Sequence, residues 1–95
     1  VSRYARRVDR NQPEIVQTLR ACGWFWFALS NAGRGAPDGI ATKAGRLRLV
    51  EIKDGERKPS EQRLTKAEAD VHAAFKASGV PIVILRSVDD ALALR

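Results

Sequence analysis

The sequence predicts an α/β fold in which helices flank a mixed β-sheet, with elements in the order α-β-β-β-α-β-α. Three observations carry this. Apolar residues recur at helical spacing in two long segments, near residues 13–22 and 64–78. Strand-like apolar runs occupy residues 24–29, 39–42, 46–53 and 81–86. The connection from the third run through the second helix to the fourth run has the length of a βαβ crossover.

Each element has its own signal. Asn11 or Gln12 can cap the first helix, Pro13 fits its first turn, and Gly23 fits its stop. Ile15, Val16, Leu19 and Cys22 form its apolar stripe. WFWFALS then reads as a buried strand, with Trp24 and Trp26 on one side and Phe25 and Phe27 on the other. NAGRGAPDG is rich in Gly, Asn and Pro and predicts a loop. Residues 39–42 and 46–53 flank a short turn containing Gly45, which predicts a β-hairpin. A polar loop, GERKPSEQR, leads to the long helix, where Thr65 and Glu68 have capping-box spacing. Leu64, Ala67, Val71, Ala74 and Phe75 predict its apolar stripe, and Gly79 its end. VPIVILRS gives the last strand, and Ser87 can cap a short closing helix.

At 95 residues the chain suits one domain spanning residues 1–95. Its core is modest, so dimerisation would help to stabilise it. Hydrophobic residues at 44% and charged residues at 29% place it with folded rather than disordered chains. No apolar stretch approaches the ~18 residues of a membrane span. The basic N-terminus lacks the apolar segment of a secretory signal. The single cysteine, Cys22, rules out a disulfide framework and a cysteine zinc site and reads as a small core residue. A cytoplasmic protein is expected. The formal charge of +6 favours a polyanionic partner, nucleic acid first. A protein that merely happens to be basic is the plainer alternative.

The chemistry concentrates in PDGIATKAGRLRLVEIK, residues 37–53. A strand alternates its side chains, so Glu51 and Lys53 share one face and Val50 and Ile52 the other. If the hairpin pairs, Asp38 comes beside Glu51. Two adjacent carboxylates repel unless a cation lies between them. Their hard oxygens suit magnesium or manganese, with the Ile52 carbonyl as a further ligand. Lys53 can stabilise charge on a phosphate or orient an attacking water. Acid, acid and lysine around a divalent metal suit phosphodiester hydrolysis. Three solvated charges on a surface hairpin would produce the same local pattern.

Asp38 after a proline, then Glu51-Ile52-Lys53 thirteen residues later, with Glu14 on the preceding helix, resembles the PD-(D/E)XK nuclease superfamily. Within it the chain is similar to the small standalone VRR-NUC family from about Pro13 to Leu94. KPSEQRLTKAEADVHAAF and GVPIVILRSVDDAL extend the likeness beyond the lysine. The resemblance implies a restriction-endonuclease-like α/β/α sandwich. It also implies a divalent-metal-dependent endonuclease on branched DNA, acting as a Holliday-junction-resolvase-like homodimer. It assigns Asp38 and Glu51 to the metal, Lys53 to the reaction, and Glu14 to the acid that many members carry on the first helix. Many members also have a glutamine near the start of the long helix. Here Glu68 occupies that region, with Gln62 earlier in the loop.

Glu68 has its own explanation as the capping-box acid. His72 lies four residues later on the same face and reads as a packing or solvated histidine, with a general-base role as the rival. Arg34, the group Arg57, Lys58 and Arg63, and the N-terminal group that includes Arg7 are candidates for phosphate contacts. The alternative function is a non-catalytic DNA-binding or assembly module that retains a nuclease fold.

Overall fold

The computed structural model describes residues 10–29 and 31–95. The segment carrying Arg3, Arg6 and Arg7 lies outside the described residues. Pro13 falls in the first turn of α1 (Gln12–Ala21), where its missing N–H costs no helical bond, and Ile15, Val16 and Leu19 form the buried stripe. Asn11 stands at the cap position, but its side chain caps nothing there. Its Nδ2 donates instead to the carbonyls of Lys53 (3.1 Å) and Arg86 (3.2 Å). The start of α1 is thereby tied to two neighbouring stretches of the chain.

Those stretches follow the strands of a four-stranded mixed sheet, β1 (Phe25–Ala28), β2 (Gly39–Lys43), β3 (Arg46–Ile52) and β4 (Val83–Leu85), ordered β1-β2-β3-β4. The first two pairings are antiparallel and β3–β4 is parallel. Ala44 and Gly45 close the β2–β3 hairpin, both with positive φ (50° and 79°). A two-residue hairpin loop needs that conformation to match the strand twist. A 3-10 turn (Pro59–Glu61) precedes α2 (Lys66–Ala77), which connects the parallel strands, and α3 (Val88–Ala93) closes the chain. Thr65 and Glu68 form the expected capping box, and Ser87 caps α3 by accepting from the Asp90 N–H.

The two sheet faces differ. On one, Trp24, Trp26, Ala41, Val50, Ile52 and Leu85 pack with Ile15, Val16 and Leu19 of α1 and Ala91 of α3. Cys22 packs against this core, as expected of a small apolar residue. The opposite face carries Glu51, whose carboxylate meets His72 of α2. The first strand is not buried on both sides, contrary to the reading of WFWFALS. Trp24 and Trp26 are buried, whereas Phe25 and Phe27 are 63% and 55% exposed. Pairing sets Phe27 beside Ile40 and Ile40 beside Leu49, two positions from Glu51, so these phenylalanines lie on the Glu51 face.

The expected apolar stripe of α2 is also only partly covered. Ala67 and Val71 are half-buried, while Ala74 and Phe75 are exposed. The one buried residue of α2 is the acid Glu68. This helix therefore meets the rest of the molecule through polar contacts as well as apolar ones.

Candidate active site

The β2–β3 ladder ends at the pair Gly39↔Val50. Beyond it, the Ile52 N–H points toward the side where β2 has stopped, because the next N–H, that of Lys53, donates to Leu85 on the β4 side (3.0 Å). The residue before β2 supplies the missing acceptor. Asp38 Oδ2 accepts from the Ile52 N–H at 2.6 Å, and the carboxylate is buried. The Asp38 carbonyl accepts in turn from the Leu29 N–H (2.9 Å). Asp38 is thus fixed through its backbone on one side and its side chain on the other. A residue's N–H and C=O leave a strand by the same edge, so the Ile52 carbonyl faces the Asp38 side as well.

Gly39 makes this close approach feasible. A Cβ built there would lie 2.6 and 2.7 Å from Cη2 and Cε2 of the buried Trp26 ring. Only a residue without a side chain fits at this point in the sheet.

Glu51 and Lys53 follow on the face opposite the core, and α2 contacts each of them. Lys53 Nζ donates to Glu68 Oε1 at 3.0 Å, with both side chains almost enclosed (12% and 11% exposed). His72 Nε2 lies 3.4 Å from Glu51 Oε1, and Glu51 is fully buried. That spacing would suit an ion pair. Burial, however, holds the His72 imidazole below its usual range, with Lys53 adding to the lowering and Glu68 opposing it. Neutral imidazole donating through Nε2–H to the carboxylate satisfies both observations.

The other predicted positions have surroundings of their own. Glu14 is exposed on the first turn of α1 and lines a cleft of about 290 Å³ with Arg10, Asp54, Glu56 and Arg86. None of Asp38, Glu51 and Lys53 lines that cleft. Gln62 organises its own loop. Its Nε2 donates to the carbonyls of Arg57 (2.7 Å) and Gly55 (3.3 Å), and its Oε1 accepts from Arg86 Nε (3.0 Å). Arg57 is half-buried and pairs with Glu61 (2.9 Å) and Asp54 (3.7 Å). Arg34, Lys58 and Arg63 are exposed, and Arg7 lies outside the described residues.

One organising residue escaped the sequence reading. Asp54 is buried, and its Oδ1 accepts from the Glu56 N–H (3.0 Å) while its Oδ2 meets Arg10 (3.4 Å). The Asp-Gly pair directly after a strand was the available signal, since Asp side chains often bond the backbone two residues on.

The donor set suits a hard cation. Asp38, Glu51 and the Ile52 carbonyl offer only oxygen, and magnesium commonly binds through one or two carboxylates and completes its shell with water and phosphate. Among the described residues, no group of three or more His, Cys, Asp or Glu side chains is arranged to hold a metal ion. A metal here would therefore depend on two carboxylates, the Ile52 carbonyl and non-protein oxygens. Also among the described residues, no helix is long and apolar enough to cross a membrane. Compared with known proteins, the chain matches no family model, no curated protein and no solved structure.

Proposed function

We propose that the chain is a divalent-metal-dependent DNA endonuclease of the PD-(D/E)XK type, similar to small VRR-NUC nucleases, with a restriction-endonuclease-like sandwich. The observation that carries this reading is the Asp38 carboxylate on the Ile52 N–H, in the Glu51-Ile52-Lys53 segment at the end of β3. A sequence resemblance built on the same three positions would not require that juxtaposition.

In this reading Asp38, Glu51 and the Ile52 carbonyl hold magnesium or manganese. The bound cation supplies Lewis-acid stabilisation of the phosphate and a more acidic water. Asp38 and Glu51 orient that ion against the strand. Lys53 places its ammonium beside the scissile phosphate, where it stabilises the charge that grows in the transition state. Glu14 holds a supporting role at most, given the separate cleft that it lines. The formal charge of +6 draws the DNA backbone to the protein, and exposed Arg34, Lys58 and Arg63 are free to adjust to phosphates. A cytoplasmic setting follows from such a substrate.

A homodimer acting on branched DNA completes the proposal. Phe25, Phe27 and Leu47, at 63%, 55% and 52% exposure, lie on the Glu51 face of the sheet. Together they present roughly 300 Å² of apolar surface, a size at which patches are often functional. A second copy seated there would use them as the apolar centre of an interface of roughly 800 Å² per partner. Two sites related by a two-fold axis would then face the two strands of a junction.

The test is a panel of labelled linear, flap and four-way DNAs incubated with manganese, with and without EDTA. Metal-dependent cleavage of a branched member supports the proposal. DNA binding without cleavage of any member supports a non-catalytic binding module instead. Absence of DNA binding at low salt rejects both.

A further inference from the structure

Glu68 is the only buried residue of α2, and it is a carboxylate. Its Oε1 accepts from two donors, the Thr65 backbone N–H at 2.9 Å and Lys53 Nζ at 3.0 Å. The first contact belongs to the capping box. The second reaches across to the sheet and is not needed to cap a helix. An acid that served the cap alone would sit among the exposed residues of a helix start, as Thr65 and Lys66 do. Burying a carboxylate is unfavourable unless a partner offsets it, and here the partner is an equally enclosed lysine.

We propose that Glu68 is a positioning residue, which fixes the Lys53 ammonium to the first turn of α2 and so makes the helix cap and the reactive lysine one unit. This rests on the nuclease reading of Asp38, Glu51 and Lys53. A lysine side chain is long and flexible, and an unanchored ammonium spreads over many rotamers. Two contacts on one oxygen convert the capping turn into a rigid stop for it. The next turn of the same helix face places His72 against Glu51, so one side of α2 steadies both strand residues. Charge matters to the tether, because a charge-assisted hydrogen bond is roughly twice as strong as a neutral one.

The distinguishing variant is Glu68→Gln. Glutamine at this position also completes a capping box, so the helix start is preserved while the charge beside Lys53 is lost. Thr65→Ala is its converse, since it removes the capping hydroxyl and leaves the carboxylate. The experiment measures manganese-dependent cleavage, DNA affinity and melting temperature for wild type and both variants. Glu68→Gln is expected to lower kcat about 10- to 100-fold, with KM and DNA affinity close to wild type. It should melt somewhat earlier, while still folded at the assay temperature, because the enclosed Lys53 ammonium loses its counter-charge. Thr65→Ala is expected to melt earlier, with cleavage by the folded protein reduced far less than in Glu68→Gln. If wild type cleaves and Glu68→Gln cleaves equally fast, Glu68 is only a cap and the inference fails alone. It also fails alone if the loss of cleavage merely tracks a loss of folding. If wild type cleaves nothing, the nuclease reading fails and takes the inference with it.

Discussion

Asp38 has one observed duty and one proposed duty, and a pair of substitutions divides them. Its Oδ2 is the 2.6 Å acceptor for the Ile52 N–H, at a point where the β2–β3 ladder has already ended. Asp38→Ala removes that acceptor within a buried segment flanked by Glu51 and Ile52, both at 1% exposure. Leaving a buried backbone N–H unpaired costs about 1–3 kcal/mol. For a domain of this size each kcal/mol lowers Tm by roughly 4–8 °C, so the expected drop is about 4–24 °C. Asp38→Asn keeps an oxygen that can accept the same bond and removes only the charge. Its Tm should fall clearly less than that of Asp38→Ala, because the neutral bond keeps about half of the charged bond's contribution and no buried N–H is left unpaired. If manganese binds as proposed it raises the wild-type Tm by binding the native state, and both variants should lose that rise. Thermal melts by circular dichroism, in EDTA and in manganese, read all of this. Equal melting of Asp38→Ala and wild type in EDTA would refute the ladder-end role. A full manganese response in Asp38→Asn would refute the metal role.

Three further outcomes are expected. Gly39→Ala drives a methyl group into the Trp26 ring, which must move in a packed core, so it should cost about 1–3 kcal/mol and reduce cleavage by displacing Asp38. Normal melting together with normal cleavage would contradict this. Burial lowers the His72 pKa, so the folded state favours neutral imidazole. As pH falls below about 6.5 the unfolded chain protonates first, and stability declines toward the lower folded-state value. Melts in EDTA across that range should show a smaller acid-side decline for His72→Gln than for wild type. Finally, the proposed dimer should be seen in sedimentation of the wild type at micromolar concentration and give way to monomer when Phe25 and Phe27 are together replaced with serine, and an unchanged dimer would remove that face from the interface.

The sequence reveals the hairpin and the sidedness of Glu51 and Lys53, because strand alternation is a local rule. It also places Asp38 beside them, since a hairpin fixes its own register. The exposure of Phe25 and Phe27 was not legible, because alternation cannot show that one face of an apolar strand lacks a covering layer. Nor was the double use of Glu68, since capping-box spacing accounts for the acid without any long-range partner. Glu14 is a different case. A helix acid can be placed on its turn from sequence, but whether that turn opens onto the Glu51 face depends on how the helix packs. Asn11 shows the same limit, as its cap-type side chain serves Lys53 and Arg86 carbonyls distant in sequence.

The most direct measurement is cleavage of a labelled four-way junction by wild type and by Lys53→Ala, in manganese and in EDTA. Cleavage by wild type in manganese alone, with none by Lys53→Ala while both bind the junction equally, is the predicted result. Cleavage that persists in EDTA or in Lys53→Ala would contradict the assignment of chemistry to Asp38, Glu51 and Lys53.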